Sequence, residues 1–223
     1  MTSDKKGSER ITGHPALVTD PALIKNLQRI QIKIASDAPA GLSLDPFLAI
    51  FARWRKEPHP AEWVDLADYA HLPRGPGIVL VGQRCSLSFD LAAPGPGILY
   101  AARKGLAGSY AERVASALRG CLELSKRLTA EPEYPKEARL RTDSLEIRFN
   151  DRLETPHLES TDAELRPAIL EALSALYGAG EYGLTPQADP REFYGFAVRA
   201  KKAEPLAVLL ERVIRVSESE PRA

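Results

Sequence analysis

The sequence predicts an α+β fold in which a mixed or largely antiparallel sheet packs against amphipathic helices. Short segments with alternating apolar residues, typical of half-buried strands, are interspersed with longer segments whose apolar residues recur at helical spacing. The order strand, helix, strands, helix occurs twice, once on either side of residues 131–137. We therefore expect two related halves that share a sheet or pack together.

The predicted domain organisation is a single globular domain over residues 21–216. Its halves are residues 21–130 and 138–216, and a charged, proline-containing linker separates them. Residues 1–20 and 217–223 lack apolar periodicity, which is typical of a disordered N-terminal arm and a C-terminal tail.

The first half opens with a strand and an amphipathic helix. Ile30, Ile32 and Ile34 alternate with polar residues, so RIQIKIAS is a predicted strand. In the following segment, LDPFLAIFARWRK, Asp45 is the predicted N-cap and Pro46 the first helical residue. The apolar residues at helical spacing in this segment are Phe47, Ile50, Phe51 and Trp54.

Further strands and a long helix complete the first half. The segments IVLVG, SLSFDLA and ILYAAR are predicted strands, and SYAERVASALRGCLELSKRL is the longest helical pattern. Cys121 lies on the apolar side of that helix. We expect it in the core, because a free cysteine behaves as a small buried hydrophobe.

The second half repeats this order of elements. SLEIRFND and REFYGFAVRAK are predicted strands, and a last amphipathic helix follows near the C-terminus. Between these two strands, LRPAILEALSALYG is a predicted helix, and Thr161 and Glu164 fit a capping box ahead of it. Pro167 requires that this helix either kinks or begins later, and Gly178 is expected to end it.

Composition and charge limit the classes of partner. The chain has 30 Lys and Arg residues and 30 Asp and Glu residues, so its formal net charge is zero. A general nucleic-acid binder carries a basic excess, so nucleic acid is not expected as the main partner. No apolar run reaches the roughly 18 residues of a membrane span, and the polar N-terminus lacks a secretory signal. We therefore expect a cytoplasmic protein that does not associate with membranes.

No cofactor or metal motif occurs in a suitable context. Gly75, Gly77 and Gly82 precede a predicted strand, whereas a dinucleotide fingerprint follows a strand and opens a helix. Cys85 and Cys121 have neither a metal-ligand spacing nor the number needed for a disulfide framework. The sequence therefore predicts no cofactor and no metal.

Candidate catalytic residues are concentrated in the segment WVDLADYAHL. A strand here places Asp65, Tyr69 and His71 on one face with Asp68 opposite, whereas a helix places Asp65 and Asp68 together with His71 nearby. The β-branched and aromatic content favours the strand. Asp68 either caps the following turn or belongs to a buried polar site, and we favour capping because an unpaired aspartate on an apolar face is costly.

Candidate ligand contacts follow in the same region. They are Arg74, Gly75 and Gly77 in the turn, and Arg84 beyond the next strand. Arg84 also precedes Cys85, whose pKa a neighbouring cation would lower. Adjacent strand residues point to opposite faces, however, so the sequence favours a non-catalytic cysteine.

The run VDLADYAHLPRGPGIVLVG, followed by SLSFDL and ILYAAR, resembles a family of uncharacterised bacterial proteins. In that family an Asp-Tyr-x-His turn leads into Gly-Pro-Gly and an apolar strand ending in Gly-His-Glu, and a segment similar to FNDRLETPH occurs further on. The resemblance covers about residues 28–200 and implies one cytoplasmic globular unit without a known activity. Gln83 and Arg84 replace the His-Glu pair, so any role of that histidine is lost here.

Three functions remain open on this sequence. The first is a non-catalytic, self-associating module, a homodimer, that binds a protein or small ligand. The second is a small-molecule enzyme built around Asp65, Tyr69, His71 and the turn between Gly75 and Gly77. The third is a regulatory subunit that docks through exposed aromatic residues, for which Trp54 and Trp63 are the candidates.

Overall fold

A computed structural model describes residues 24–219 and confirms the α+β fold. The predicted N-terminal arm and residues 220–223 lie outside the described residues. The strands are β1 (Ile30–Ser36), β2 (Trp63–Asp68), β3 (Ile78–Gly82), β4 (Cys85–Asp90), β5 (Gly97–Ala102), β6 (Leu140–Phe149), β7 (Tyr182–Pro186) and β8 (Gly195–Ala200). The helices are α1 (Asp45–Trp54), α2 (Tyr110–Thr129), α3 (Glu159–Tyr177) and α4 (Leu206–Ser219).

The strands form one sheet with the order β2-β3-β4-β5-β1-β6-β8-β7, and every neighbouring pair is antiparallel. The order repeats around the central β1–β6 pair. In the first half β5 lies beside β1 with β4 next, and in the second half β8 lies beside β6 with β7 next. The first half carries an additional β2–β3 hairpin. The two halves therefore share one sheet.

Helices cover one face of this sheet. Helix α2 packs over β1 and β5, α3 and α4 pack against α2, and α1 packs over β2 and β3. The alternating apolar residues of the strands point toward these helices, and the rings of Phe47 and Phe89 stack with centroids 4.1 Å apart. The Cys121 thiol is fully buried and donates to the Ile32 carbonyl at 3.6 Å, which confirms its predicted place in the core.

Two of the predicted helix starts are wrong. Asp45 is the first residue of α1 rather than its N-cap, and its amide donates to Ser43 Oγ at 3.3 Å. Thr161 lies inside α3, which begins at Glu159, and Glu164 accepts a hydrogen bond from the Tyr110 hydroxyl instead of closing a capping box. In both cases a short polar side chain matched a cap pattern that the tertiary packing did not use.

The ends of the other helices combine predicted and unpredicted features. The capping box forms at α2, where Ser109 and Glu112 satisfy each other's backbone amides. Pro167 lies inside α3, which continues through it, and Gly178 ends α3 as predicted with a φ of 97°. Helix α4 reaches Ser219, so it extends into the first residues of the predicted tail.

The segment 131–137 is anchored to α1 rather than free. Arg53 forms ion pairs with Glu131 and Glu133, and the Trp54 indole N–H donates to Glu131 at 2.6 Å. The ring of Tyr134 contacts Phe47 edge-on at 5.7 Å. The predicted linker therefore buries part of the core at one end of the molecule.

Strand β7 had no sequence prediction. Its glycine and proline disfavour a strand, and it forms at the sheet edge, where only one side must be paired. None of the described helices is long and apolar enough to cross a membrane.

Candidate functional site

We call the face of the sheet opposite the helices the open face, although most of its side chains are buried or half-buried. Its small and polar side chains alternate with the buried apolar residues of the same strands. On strands β1, β4, β5, β6 and β8 the open face consists of Gln31, Lys33, Ala35, Ser86, Ser88, Asp90, Leu99, Ala101, Ser144, Glu146, Arg148, Ala197 and Arg199.

A buried ion pair crosses the middle of the open face. Lys33 Nζ on β1 donates to Asp90 Oδ2 on β4 at 2.6 Å, and each side chain is only 3% exposed. The pair spans the intervening strand β5, where Gly97 occupies the position beside Asp90. The sequence pattern placed Lys33 on a solvated face, so its burial is a property of the tertiary structure.

The loop of residues 91–96 covers this ion pair. Lys33 Nζ also donates to the Ala92 carbonyl at 2.8 Å, and Arg148 Nη2 donates to the Ala93 carbonyl at 3.0 Å. Arg148 is itself paired with Glu146 on the same strand. Charged side chains of the open face therefore hold the 91–96 loop against the sheet.

Two grooves flank the 91–96 loop. One is about 640 Å³ and lies between the loop and the β7–β8 connection, and the other is about 260 Å³ and lies on the β1 side. Pro94, Glu146 and Ala197 line both of them. The larger groove also contains Arg74 and the aromatic ring of Phe193.

A third concavity of about 640 Å³ occupies the opposite end of the open face, and we call it the basic concavity. Its lining consists of Arg29, Gln31, Gln83, Ser86, Ala101, Ala102, Arg103, Lys104 and Asn150. None of these described lining residues carries a carboxylate. The chain therefore concentrates cations and neutral hydrogen-bonding groups there.

The predicted catalytic residues do not converge. The strand prediction for this segment is confirmed, but β2 ends at Asp68, so Tyr69 and His71 lie exposed in the following turn and do not share a strand face with Asp65. Asp65 Oδ1 accepts from the Leu66 amide at 2.8 Å. Asp68 Oδ1 accepts from the Ala70 amide at 2.8 Å, which confirms that Asp68 caps the turn.

The predicted ligand contacts have separate locations. Gly77 has a φ of 63°, and a Cβ added to it would lie 2.0 Å from the Phe89 carbonyl oxygen, so close backbone packing requires glycine there. The Gly75 carbonyl accepts from the Leu91 amide at 3.0 Å. Arg74 lines the larger groove beside the 91–96 loop, whereas Arg84 forms an exposed ion pair with Glu62.

The structure contradicts docking through exposed tryptophans. Trp54 is fully buried, with the Arg127 guanidinium 3.9 Å from its ring centroid. Trp63 is half-buried and stacks on His59 with centroids 5.1 Å apart. The apolar periodicity of the helix around Trp54 already predicted that its ring faces the core.

Cys85 lines a small pocket between β4 and α2, but its environment does not activate the thiol. Burial raises the pKa of Cys85 to about 11. Burial likewise raises the pKa of Cys121 to about 12. Both cysteines are free, and both are protonated at neutral pH.

We expect iodoacetamide to alkylate Cys85 about a hundredfold more slowly in the folded protein than in urea, because the thiolate is the nucleophile. The folded-state rate should continue to rise with pH up to about 11, while the unfolded chain levels off above about 9. Mass spectrometry of the timed reaction measures both rates. Rapid alkylation of Cys85 in the folded protein at pH 7 would contradict this prediction. Cys121, which is also buried, is the internal control and should react slowly as long as the protein stays folded.

Sequence reasoning missed the basic concavity. Arg29 immediately precedes β1, and Arg103 and Lys104 immediately follow β5. Basic residues at the ends of strands were the available signal. Their convergence depends on the antiparallel β1–β5 register, which the sequence did not specify.

Comparison with known proteins adds no assignment to these residues. No protein-family model matches the chain, and no curated protein sequence is significantly similar to it. The resemblance of about residues 28–200 to an uncharacterised bacterial family therefore stays a prediction.

Proposed function

We propose that this protein is a non-catalytic module that binds a negatively charged protein or small ligand on its open face. The observation that carries the proposal is the set of concavities at both ends of that face. Clefts of this volume, with a few fixed polar groups, are typical of binding sites.

The charge distribution supports a negatively charged ligand. On the open face, the charges of Lys33 and Asp90 cancel within one ion pair, and those of Glu146 and Arg148 cancel within another. Among the described ion pairs, none involves Arg29, Arg103 or Arg199. The face therefore carries uncompensated positive charge although the whole chain is neutral.

The contacts of the candidate catalytic residues support the non-catalytic part of the proposal. The carboxylates of Asp65 and Asp68 accept local backbone amides, and Tyr69 and His71 lie exposed beyond the strand. A general base is effective only within hydrogen-bonding reach of the group it deprotonates and with an orienting partner. These four residues are better explained as parts of the edge strand β2 and the turn that follows it.

Titration of ¹⁵N-labelled protein with two acidic probes, hexaglutamate and pyrophosphate, tests the proposal. At least one probe should shift the amides of Gln31, Ser86 and Ala101 below about 1 mM. Replacing Ala101 by Trp fills the basic concavity at one end of the open face and should abolish the shifts at Gln31 and Ser86. Ala207→Trp on the exposed side of α4 is the matched control and should leave them intact.

The outcomes of this titration separate the three functions. Shifts confined to residues 69–77 would favour the enzyme instead, and shifts confined to helices α2–α4 would favour a regulatory subunit that docks through its helical layer. Absence of shifts with both probes would reject the proposal. A bound probe recovered chemically unchanged supports a module without catalysis.

The proposal includes self-association as a homodimer in the cytoplasm. Strand β2 lies at the sheet edge, where Val64 is 54% exposed and Tyr69 and Leu72 are also exposed nearby. An edge strand with apolar neighbours can pair antiparallel with the same strand of a second copy. Two free cysteines support a reducing compartment. Light scattering of the purified chain measures the oligomeric state, and a monomer at all concentrations would refute this part.

A further inference from the structure

The β1–β5 register brings like charges together at the basic concavity. Gln31 pairs with Ala101, so continuing the antiparallel register by two residues places Arg29 opposite Arg103. Both positions alternate onto the open face, and both side chains are exposed. Like charges directly opposite each other on neighbouring strands destabilise a sheet.

Nothing in the described structure compensates these charges. The lining contains no carboxylate, and neither Arg29 nor Arg103 belongs to a described ion pair. The third cation, Lys104, has a neutral partner, since its Nζ lies 3.3 Å from Gln83 Oε1. The Arg103 Nη1 atom reaches only the Gly82 carbonyl, at 3.5 Å. The concavity therefore presents a net charge of about three positive units.

Backbone hydrogen bonds hold these positions in place. The Arg103 and Lys104 amides both donate to the Arg84 carbonyl, at 2.8 and 3.3 Å. The Asn150 amide donates to the Arg29 carbonyl at 2.8 Å. The three basic side chains thus extend from fixed points at the ends of two neighbouring strands, β1 and β5, which lowers the entropy lost when they engage a ligand.

We propose that the basic concavity binds a small polyanion, a phosphate-bearing or polycarboxylate molecule. This inference rests on the proposed function, because it names the ligand class for one end of the open face. Guanidinium groups bind phosphate and carboxylate bidentately, and Gln31, Ser86 and Asn150 supply neutral donors around them. A volume of about 640 Å³ accommodates a small molecule rather than a folded partner.

Calorimetric titration with pyrophosphate and with citrate tests the inference and separates the two sources of anion. Arg29→Gln and Arg103→Gln should each weaken binding about tenfold or more. Arg55→Gln is the matched control, since it removes an exposed arginine without a described ion pair from the end of helix α1, outside the open face. It should keep the wild-type affinity. Tighter binding of pyrophosphate identifies a phosphate-bearing ligand, and tighter binding of citrate identifies a polycarboxylate.

Thermal unfolding supplies a readout that a structural role would not produce. In buffer without multivalent anions, Arg29→Gln should melt at or above the wild-type temperature, because it removes repulsion from Arg103. Pyrophosphate should raise the wild-type melting temperature by mass action and raise that of the variant less. A variant that melts below wild type in both buffers would indicate a structural role instead.

Three results would overturn the inference. The first is absence of binding by both anions, and the second is an equal loss of affinity in Arg55→Gln. The third is an oligothymidine strand that binds far more tightly than either anion through Arg29 and Arg103. If hexaglutamate still shifts the open-face amides while pyrophosphate and citrate do not bind, the inference fails and the proposed function stands. If no probe shifts those amides, both fail.

Discussion

Asp90→Ala is expected to lower the free energy of unfolding by about 3–5 kcal/mol, the largest effect of any single charge removal considered in this protein. The substitution leaves the Lys33 ammonium buried, with only the Ala92 carbonyl as a described partner. An uncompensated buried charge costs far more than the pair contributes. Urea unfolding monitored by tryptophan fluorescence measures the change.

A double variant separates lost charge compensation from lost packing. Lys33→Met combined with Asp90→Leu removes both charges and should recover most of the stability, because apolar residues of similar volume replace buried pairs well. Glu123→Ala is the control for charge removal, since its pair with Arg119 is exposed on α2, and it should change stability by less than about 0.5 kcal/mol. If Asp90→Ala and Glu123→Ala had the same stability, the prediction would be wrong. The Lys33 ammonium would then have to be hydrated in the Asp90→Ala variant.

This ion pair also shapes the two grooves beside the 91–96 loop. Lys33 and Arg148 together hold the 91–96 loop, and that loop is a wall of both neighbouring grooves. We expect the loop to move when the pair is broken, so the grooves should change shape while the basic concavity at the far end does not. The position of the loop therefore depends on charges buried beneath it.

Gly77→Ala is expected to lower the free energy of unfolding by about 2–4 kcal/mol. The φ of 63° is strained for alanine, and the added Cβ would lie 2.0 Å from the Phe89 carbonyl oxygen. That oxygen belongs to the backbone of β4, so relief of the clash requires strand β3 or β4 to shift. Chemical unfolding measures the loss.

Gly95→Ala is the matched control for this prediction. Gly95 belongs to the neighbouring Gly-Pro repeat, but no atom lies within 4 Å of its added Cβ. Its replacement should change the free energy of unfolding by less than about 1 kcal/mol, and in the stabilising direction if the backbone dihedrals suit alanine. Equal effects of the two substitutions would show that turn flexibility, rather than close packing at Gly77, decides the outcome.

Much of the fold was predictable because apolar periodicity is local. Ile30, Ile32 and Ile34 marked β1, and Phe47 and Trp54 marked the buried side of α1. The repeated element order predicted two halves that share a sheet or pack together, and the described strands of both lie in one sheet. Cap signals were less reliable at Asp45 and Thr161, because several short polar residues near a helix start satisfy the same local pattern.

The basic concavity was not predicted from the sequence, because residues close in sequence were favoured over residues close in space. The dense run from Asp65 to His71 forms an edge strand and its turn, and its carboxylates serve neighbouring amides. Arg29 and Arg103 are 74 positions apart by number and were not considered together. Only strand pairing brings them to one concavity.

The sequence by itself determined the α+β class, the neutral overall charge and the core position of Cys121, since each depends on composition or on the spacing of apolar residues along one element. The tertiary structure alone decided that Lys33 is buried, that Gly77 packs against a carbonyl, and that cations meet at one end of the open face. These features depend on strand order and register. Both are set by the summed packing of the whole sheet, which no local pattern encodes.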